Sequence, residues 1–335
     1  MTAFMLAVSF IGSAAFYLPL LVLAFWCGNP RAAAPAGVAL GLSGMLNTLL
    51  KLAFQEPRPY WTDPAVHALA SESTFGMPSG HAQGSMVAWG FLAVYLTRRG
   101  WAPQLPGRLS GALRPGWVWV PTLVVIGLVG VSRVYLGVHS PGQVAAGWAI
   151  GGALLFVVVR FGPVVAGRWR DLRLVWQFVL SAVVSLGLLA CAVAAVAPLR
   201  NWRMPPVWQE AIIRAGGHVD VHPDRLGMER AALAAGLLCG LLVGLSWLAH
   251  RGWFAAGGPP LARVSRVLVG VAGLAVINTV LLLPAPHVAV LFLAQALTGL
   301  WITVGAPEAF VRLGLARRPT PGLTRPGEPA LTRDS

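Results

Sequence analysis

LVWQFVLSAVVSLGLLACAVAAVA, residues 174–197, carries no charged side chain, and its polar groups are limited to Gln177, Ser181 and Ser185. Wound as a helix at 1.5 Å per residue, such a run reaches about 36 Å, more than the roughly 30 Å of a bilayer's hydrocarbon core. A segment this apolar belongs in lipid, and a helix is the one structure that satisfies its own backbone there without a neighbouring strand. Working outward, comparable runs lie near residues 4–27, 32–54, 82–97, 117–135, 143–161, 230–250, 267–285 and 287–306, which makes nine candidate spans in all. The composition agrees: 56% of the chain is hydrophobic, 11% is charged and the mean hydropathy is +0.70, whereas a soluble domain is about 25% charged. The expected fold is all-α, a polytopic transmembrane bundle.

The net charge of +14 does not point to nucleic acid, because a nucleic-acid partner demands one basic patch. Here the basic residues fall in short loops between apolar runs. Arg98, Arg99, Arg108 and Arg114 share one loop, Arg160, Arg168, Arg170 and Arg173 another, and Arg251, Arg263 and Arg266 a third; Arg312, Arg317, Arg318, Arg325 and Arg333 mark the C-terminal segment. With nine spans all four groups fall on one side, which the positive-inside rule assigns to the cytoplasm. The N-terminus is then outside, with a first apolar run that is retained rather than cleaved, and the segments 55–81, 132–142 and 198–229 face outward. In the last of these, residues 205–216 read as an amphipathic helix on the interface, with Trp202 and Trp208 at headgroup depth. Residues 311–335, rich in Pro, Gly and Arg, read as a disordered tail. Cys27, Cys191 and Cys239 show no paired spacing and read as packing residues.

Three outward segments carry the chemistry. Lys51 is the only lysine, beside 24 arginines, so something about its position favours an ammonium; Arg58-Pro59 follows seven residues later, with Pro57 and Pro59 ending the second helix. Next comes Pro78-Ser79-Gly80-His81 at the start of the third span, where free N–H groups suit an anion. Then Ser132-Arg133 is followed by His139 and Gln143. Taken singly, Lys51 is a snorkelling anchor, Ser79 an N-cap and His81 an interfacial histidine. Taken together, three cations and two histidines on one side of a membrane meet the needs of phosphoryl transfer: cations neutralise the non-bridging oxygens, one histidine attacks phosphorus, and the other protonates the leaving oxygen. No metal or other cofactor is expected, since these segments offer no carboxylate cluster. In the outer loop His218, Asp220, His222 and Asp224 alternate, and are weighed there as a metal site against a plain solvated loop.

The three segments resemble the signature K-x6-RP, PSGH, SR-x5-H-x3-D of the type 2 phosphatidic acid phosphatases, a superfamily that also holds glucose-6-phosphatase, dolichyl diphosphatase and the vanadium haloperoxidases. The resemblance covers roughly residues 32–162. It implies that His139 is the nucleophile forming a phosphohistidine and His81 the general acid, with Lys51, Arg58, Ser79, Gly80 and Arg133 on the phosphate. Gln143 stands where the common pattern has Asp; its amide oxygen can orient the imidazole but supplies no charge. The glucose-6-phosphatase and dolichyl diphosphatase branches look alike here, and Arg58-Pro59-Tyr60-Trp61 with nine spans is similar to glucose-6-phosphatase.

The chain divides on this reading into a phosphatase core over 1–165, four further spans over 166–310 and the tail. The leading function is hydrolysis of a membrane lipid phosphate or polyprenyl diphosphate on the extracytoplasmic face of a bacterial plasma membrane. The alternatives are a sugar-phosphate phosphatase and a non-catalytic membrane protein whose site has decayed at Gln143. The last four spans read as an oligomerisation surface or as one wall of the path taken by substrate, and the Gly- and Ala-rich stretch 231–244 permits close helix packing.

Overall fold

The computed structural model describes residues 1–98, 115–217, 219, 222–284 and 287–318. Thirteen α-helices run through these residues: α1 (Thr2–Ile11), α2 (Ala14–Cys27), α3 (Pro30–Phe54), α4 (Pro59–Thr62), α5 (Gly80–Thr97), α6 (Pro115–Tyr135), α7 (Pro141–Asp171), α8 (Leu174–Val196), α9 (Pro206–Arg214), α10 (Pro223–Arg251), α11 (Pro260–Asn278), α12 (Val288–Leu300) and α13 (Ala306–Arg312). No strand lies among them, and the fold class is all-α as expected. The helix starts are written locally: Pro30, Pro141, Pro206, Pro223 and Pro260 occupy first-turn positions, where a missing N–H costs nothing and φ is already set.

Length and apolarity alone do not recover all nine expected spans. Among the described residues seven helical runs are both long and apolar enough to cross a bilayer, and α1 with α2 makes an eighth if the pair, bent by 40°, is one span. The bend falls at Gly12-Ser13, between the two helices. The remaining candidate, α5, is helical over 18 residues but opens with His81, Gln83 and Ser85, which dilute its apolarity. Gln83 and Ser85 are tolerated because they point inward. Gln83 Nε2 donates to the Ser43 carbonyl at 2.9 Å, and Asn47 Nδ2 donates to Gln83 Oε1 at 2.9 Å.

α7 lies against α5 at backbone contact. A Cβ on Gly147 or Gly151 would come within 2.6 Å of the Ser79 carbonyl oxygen or 2.7 Å of that of Gln83, so only glycine lets these helices approach so closely. The later helices form a second group in which α10 packs against α8, α12 and α3. Its glycines do the same work: Gly236 and Gly240 face the carbonyls of Phe292 and Ala296.

One surface expectation changes, and another gains detail. Residues 311–318 are not a free tail, because Phe310 and Ala316 are buried with Trp26 and Phe254, Ala255 and Arg317 form a backbone bridge, and Arg318 pairs with Glu308; residues 319–335 lie outside the described residues. The amphipathic helix exists as α9, but Trp208 packs on Trp61 and Trp202 on Phe75, at ring centroid separations of 6.1 and 5.7 Å. These rings pack on the protein at Trp61 and Phe75, and so help to cover the site end of the bundle.

Candidate active site

The three segments meet at one end of the bundle because each sits at a helix terminus there: Lys51 in the last turn of α3, Arg58 capping α4, Ser79 capping α5, Arg133 in the last turn of α6, and His139 in the turn before α7. Gly137, at φ 73°, makes the turn after α6 possible. A Cβ there would fall 2.3 Å from the His67 carbonyl oxygen. Lys51, Arg58, Ser79, Arg133, His139 and Gln143 are all buried; Gly80 and His81 are partly exposed. Arg98, Arg168 and Arg170 mark the far ends of α5 and α7.

Gln143 fixes the state of His139. Its Oε1 accepts from the Ser140 N–H at 3.2 Å, and its Nε2 donates to the Pro57 carbonyl at 2.9 Å and to Glu56 Oε1 at 3.0 Å. Turning the amide over would set N–H against N–H and oxygen against oxygen, so its orientation is determined. The Oε1 that lies 3.1 Å from His139 Nδ1 can only accept. Nδ1 therefore carries the proton, and the lone pair of the neutral ring is on Nε2. That atom faces Arg58 Nη1 at 3.1 Å. Burial pushes the His139 pKa well below its ordinary value, and the charges of Arg58, Lys51 and Arg133 add to this, against a smaller opposing effect of the Gln143 hydrogen bond. The ring is neutral at pH 7.

Gln143 has a second task. Ser140 is the N-cap of α7, its Oγ accepting from the Gln143 N–H at 3.2 Å, so the pair forms a capping box. Room for the amide comes from Gly76, whose Cβ would fall within 2.6 Å of both terminal amide atoms of Gln143.

The cations are held by oxygens. Arg58 donates from Nε to the Thr74 carbonyl at 2.6 Å and from Nη1 to the Val138 carbonyl at 2.9 Å, and Lys51 Nζ donates to the Phe75 carbonyl. Arg133 donates to Ser9 Oγ at 2.7 Å and to Glu72 Oε1 at 2.5 Å, and Glu72 Oε2 is 3.7 Å from Arg58 Nη2. Burial alone would raise the Glu72 carboxyl, but Arg58 and Arg133, aided by His81 and Lys51, outweigh it and hold the pKa at about 2. One carboxylate thus spans the two guanidiniums. Ser79 Oγ accepts from the Ala82 N–H at 3.4 Å, which leaves the N–H groups of Gly80 and His81 without a carbonyl inside the helix.

Four residues in this assembly had no role in the sequence reading: Glu56, Glu72, Ser9 and Tyr60. Gln143 itself supplies no charge, as expected, but its Nε2 donates to Glu56 Oε1 behind it. Tyr60 Oη donates to the Glu72 carbonyl at 3.0 Å and accepts from the Glu72 N–H at 3.2 Å, and so fixes that residue in the loop. The alternating histidines and aspartates remain only partly visible, as His218 and Asp220 lie outside the described residues; among those described no group of three His, Cys, Asp or Glu gathers to hold a metal.

Residues 32–165 match the PAP2 superfamily, and residues 232–318 match the transmembrane extension of PAP2 superfamily phosphatases. The chain is 30% identical over 161 residues to phosphatidylglycerophosphatase B of Bacillus subtilis, covering 47% of this chain and 73% of that one. It is 29% identical over 136 residues to the undecaprenyl-diphosphatase of Sulfolobus acidocaldarius, covering 38% and 57%. Among solved structures it is similar to the transmembrane PAP2 type phosphatidylglycerolphosphate phosphatase of Bacillus subtilis, at 29% identity and a TM-score of 0.41 over 48% of this chain and 76% of that one.

Proposed function

The chain belongs to the PAP2 superfamily of membrane phosphatases, and we propose that it hydrolyses a membrane lipid phosphate or polyprenyl diphosphate without a metal, through a phosphohistidine. The observation that carries this reading is the tautomer of His139, whose Nε2 lone pair faces the cluster of cations while Nδ1–H is committed to Gln143.

In the first step Nε2 attacks phosphorus, a P–N bond forms and the bond from phosphorus to the leaving oxygen breaks. His81 gives that oxygen a proton. Lys51, Arg58, Arg133, the Ser79 hydroxyl and the Gly80 N–H meet the non-bridging oxygens, and for this Arg58 turns from Nε2 toward the phosphoryl group. In the second step water attacks phosphorus, His81 takes the proton, and the P–N bond breaks to release inorganic phosphate. Nδ1 stays protonated throughout, so the ring becomes a cation. Gln143 faces it with an oxygen, and Glu56 stands behind the amide as a carboxylate.

The names of the relatives, a phosphatidylglycerophosphatase and an undecaprenyl-diphosphatase, favour a lipid over a sugar phosphate. The arginine loops favour an extracytoplasmic site, so cysteines placed at the exposed Ser71 and Val207 should react with an external thiol reagent in intact cells.

The test is phosphate release by the purified protein in detergent from polyprenyl diphosphate, phosphatidylglycerol phosphate, phosphatidic acid and glucose-6-phosphate. We expect release from the lipids in the presence of EDTA, inhibition by vanadate, and none from His139→Ala. His81→Ala should accumulate a phosphoenzyme that is labile in acid and stable in base. Full activity in His139→Ala, or strict dependence on added Mg²⁺, would defeat the mechanism.

A further inference from the structure

A cavity of about 950 Å³ opens beside the site and runs along the helices that the core signature does not account for. This is the size of a ligand site, about 300–1,000 Å³, and its two ends differ. At one end it is lined by Gly80, His81, Asn47, Thr48 and Arg230. At the other it is lined by Leu237, Leu241 and Leu245 of α10, Val267 and Val271 of α11, and Trp26 of α2. From Arg230 to Leu245 is about 22 Å of helix. A polar mouth beside the proposed general acid, continuing into an apolar channel of that length, has the shape and polarity of an amphiphile.

Arg230 is the unexplained part of the mouth. It is exposed and, among the described residues, makes no hydrogen bond or ion pair. Its position is well defined, for Gly227, one turn earlier, sits against Leu52 so closely that a Cβ would fall 2.5 Å from that side chain. Its charge bears on both Lys51 and Arg58. An unpaired guanidinium pointed at a cavity already rich in cations calls for an anion beyond the one that Lys51, Arg58 and Arg133 surround.

We propose that this cavity holds the leaving part of the substrate, with the apolar chain between α2, α3, α10 and α11 and a second phosphate, directly joined to the scissile one, on Arg230. The substrate class is then a lipid diphosphate, and the transmembrane extension forms the specificity wall. The inference rests on the phosphatase reading above. Its step balances: the bond between the scissile phosphorus and the bridging oxygen breaks as His139 Nε2 bonds to phosphorus, and the bridging oxygen leaves as part of the lipid monophosphate, protonated by His81 and held by Arg230 until release.

The experiment compares kcat/KM of the full chain in detergent for a long-chain polyprenyl diphosphate, a short-chain prenyl diphosphate, phosphatidylglycerol phosphate and phosphatidic acid. Arg230→Ala should lower the values for both diphosphates about tenfold more than the value for phosphatidic acid, the worth of one charge-assisted contact, and Arg230→Lys should recover most of the loss. Gly44 lines the cavity, and a Cβ there meets nothing within 4 Å. Gly44→Phe should therefore fill the channel and penalise the long-chain diphosphate more than the short one. An equal loss on all four substrates, or a selective loss confined to phosphatidylglycerol phosphate, overturns the assignment to a joined phosphate; indifference of Gly44→Phe to chain length overturns the channel. If the parent protein released phosphate from none of the lipids, the phosphatase reading itself would fall.

Discussion

Two buried arginines, one at each end of the bundle, are held in different ways. Arg266, in α11, donates from Nη1 to the carbonyls of Trp26 and Ala256 at 2.8 and 2.6 Å, from Nη2 to that of Gly257 at 2.8 Å, and from Nε to that of Ala262 at 3.2 Å. Every partner is main chain. Arg133, in the site, has only the side chains of Ser9 and Glu72, and its Nε has no partner at all among the described residues. A guanidinium locked on carbonyls closes a helix end and a loop, because those oxygens cannot leave without unfolding the segment. One held by side chains, with a donor left over, can exchange its partners for a ligand at little structural cost. For these two arginines the kind of acceptor differs while the burial does not; Arg58, tied to the carbonyls of Thr74 and Val138 as well as to the side chains of Thr74 and His139, stands between them.

The comparison breaks if the two substitutions behave alike. Arg133→Ala should lower kcat/KM about 10³-fold or more, the loss of two charge-assisted contacts at about 1.5–3 kcal/mol each, and should move the thermal midpoint little. Arg266→Ala should do the reverse. It strands the carbonyls of Trp26, Ala256 and Gly257, at about 1–3 kcal/mol apiece, so the melt followed by tryptophan fluorescence in detergent should shift down by many degrees while kcat/KM stays within a few fold. A catalytic collapse in Arg266→Ala, with an unchanged melt, would mean that acceptor type carries no such information.

Gln143 sharpens the same point for an uncharged group. Gln143→Ala should cost about 10- to 100-fold in rate, the loss of about 1.4–2.7 kcal/mol of positioning, and Gln143→Asp should be tolerated. A carboxylate beside the ring raises the imidazole pKa, so the acid limb of the Asp variant should lie at higher pH. Glu56→Gln should cost only a few fold in the parent and nothing further in the Asp variant, since the charge is then supplied directly. Additive losses in that double substitution would show that Glu56 acts elsewhere.

The smallest expected effect is on stability against pH. His139 has a lowered pKa in the fold, so as pH drops through the ordinary imidazole value near 6.5 the unfolded chain takes up a proton that the folded chain refuses, and stability falls. Glu72, held at about 2 against an ordinary 4.5, contributes stability that is complete above 4.5 and is lost between there and 2. Melts of His139→Ala should therefore lose less between pH 7.5 and 5.5 than the parent. Parallel curves from pH 7.5 downward would disprove the neutral ring.

The sequence was readable where function depends on local geometry. Lys51, Arg58, Ser79, His81, Arg133, His139 and Gln143 sit at helix ends whose positions are fixed by Pro57, Pro59, Ser79 and Ser140, so spacing along the chain sufficed. Glu56, Glu72 and Ser9 were not readable, because they reach their partners across 87, 61 and 124 residues, and no periodicity encodes such a pairing. A signal did exist: the chain holds only 11 acidic residues, and the rarity that singled out Lys51 applied as well to carboxylates inside the motif segments. α5 is the candidate span that length and apolarity alone do not recover, since inward-facing Gln83 and Ser85 look polar to a hydropathy window, while Gln83 is satisfied by α3 and Ser85 by the Ala82 carbonyl of its own helix.

The contact between Ser9 and Arg133 also bears on how the protein can be cut. The superfamily match begins at residue 32, and a shortened version made to that boundary would keep every residue of the signature. It would also lack α1, which packs along α6, and with it the hydroxyl 2.7 Å from the Arg133 guanidinium. Such a truncation could be expressed, inserted in membranes and recognised by every motif search, yet it would release Arg133 to swing on its remaining tie to Glu72. An affinity tag therefore belongs at the other terminus, away from the contact between Ser9 and Arg133.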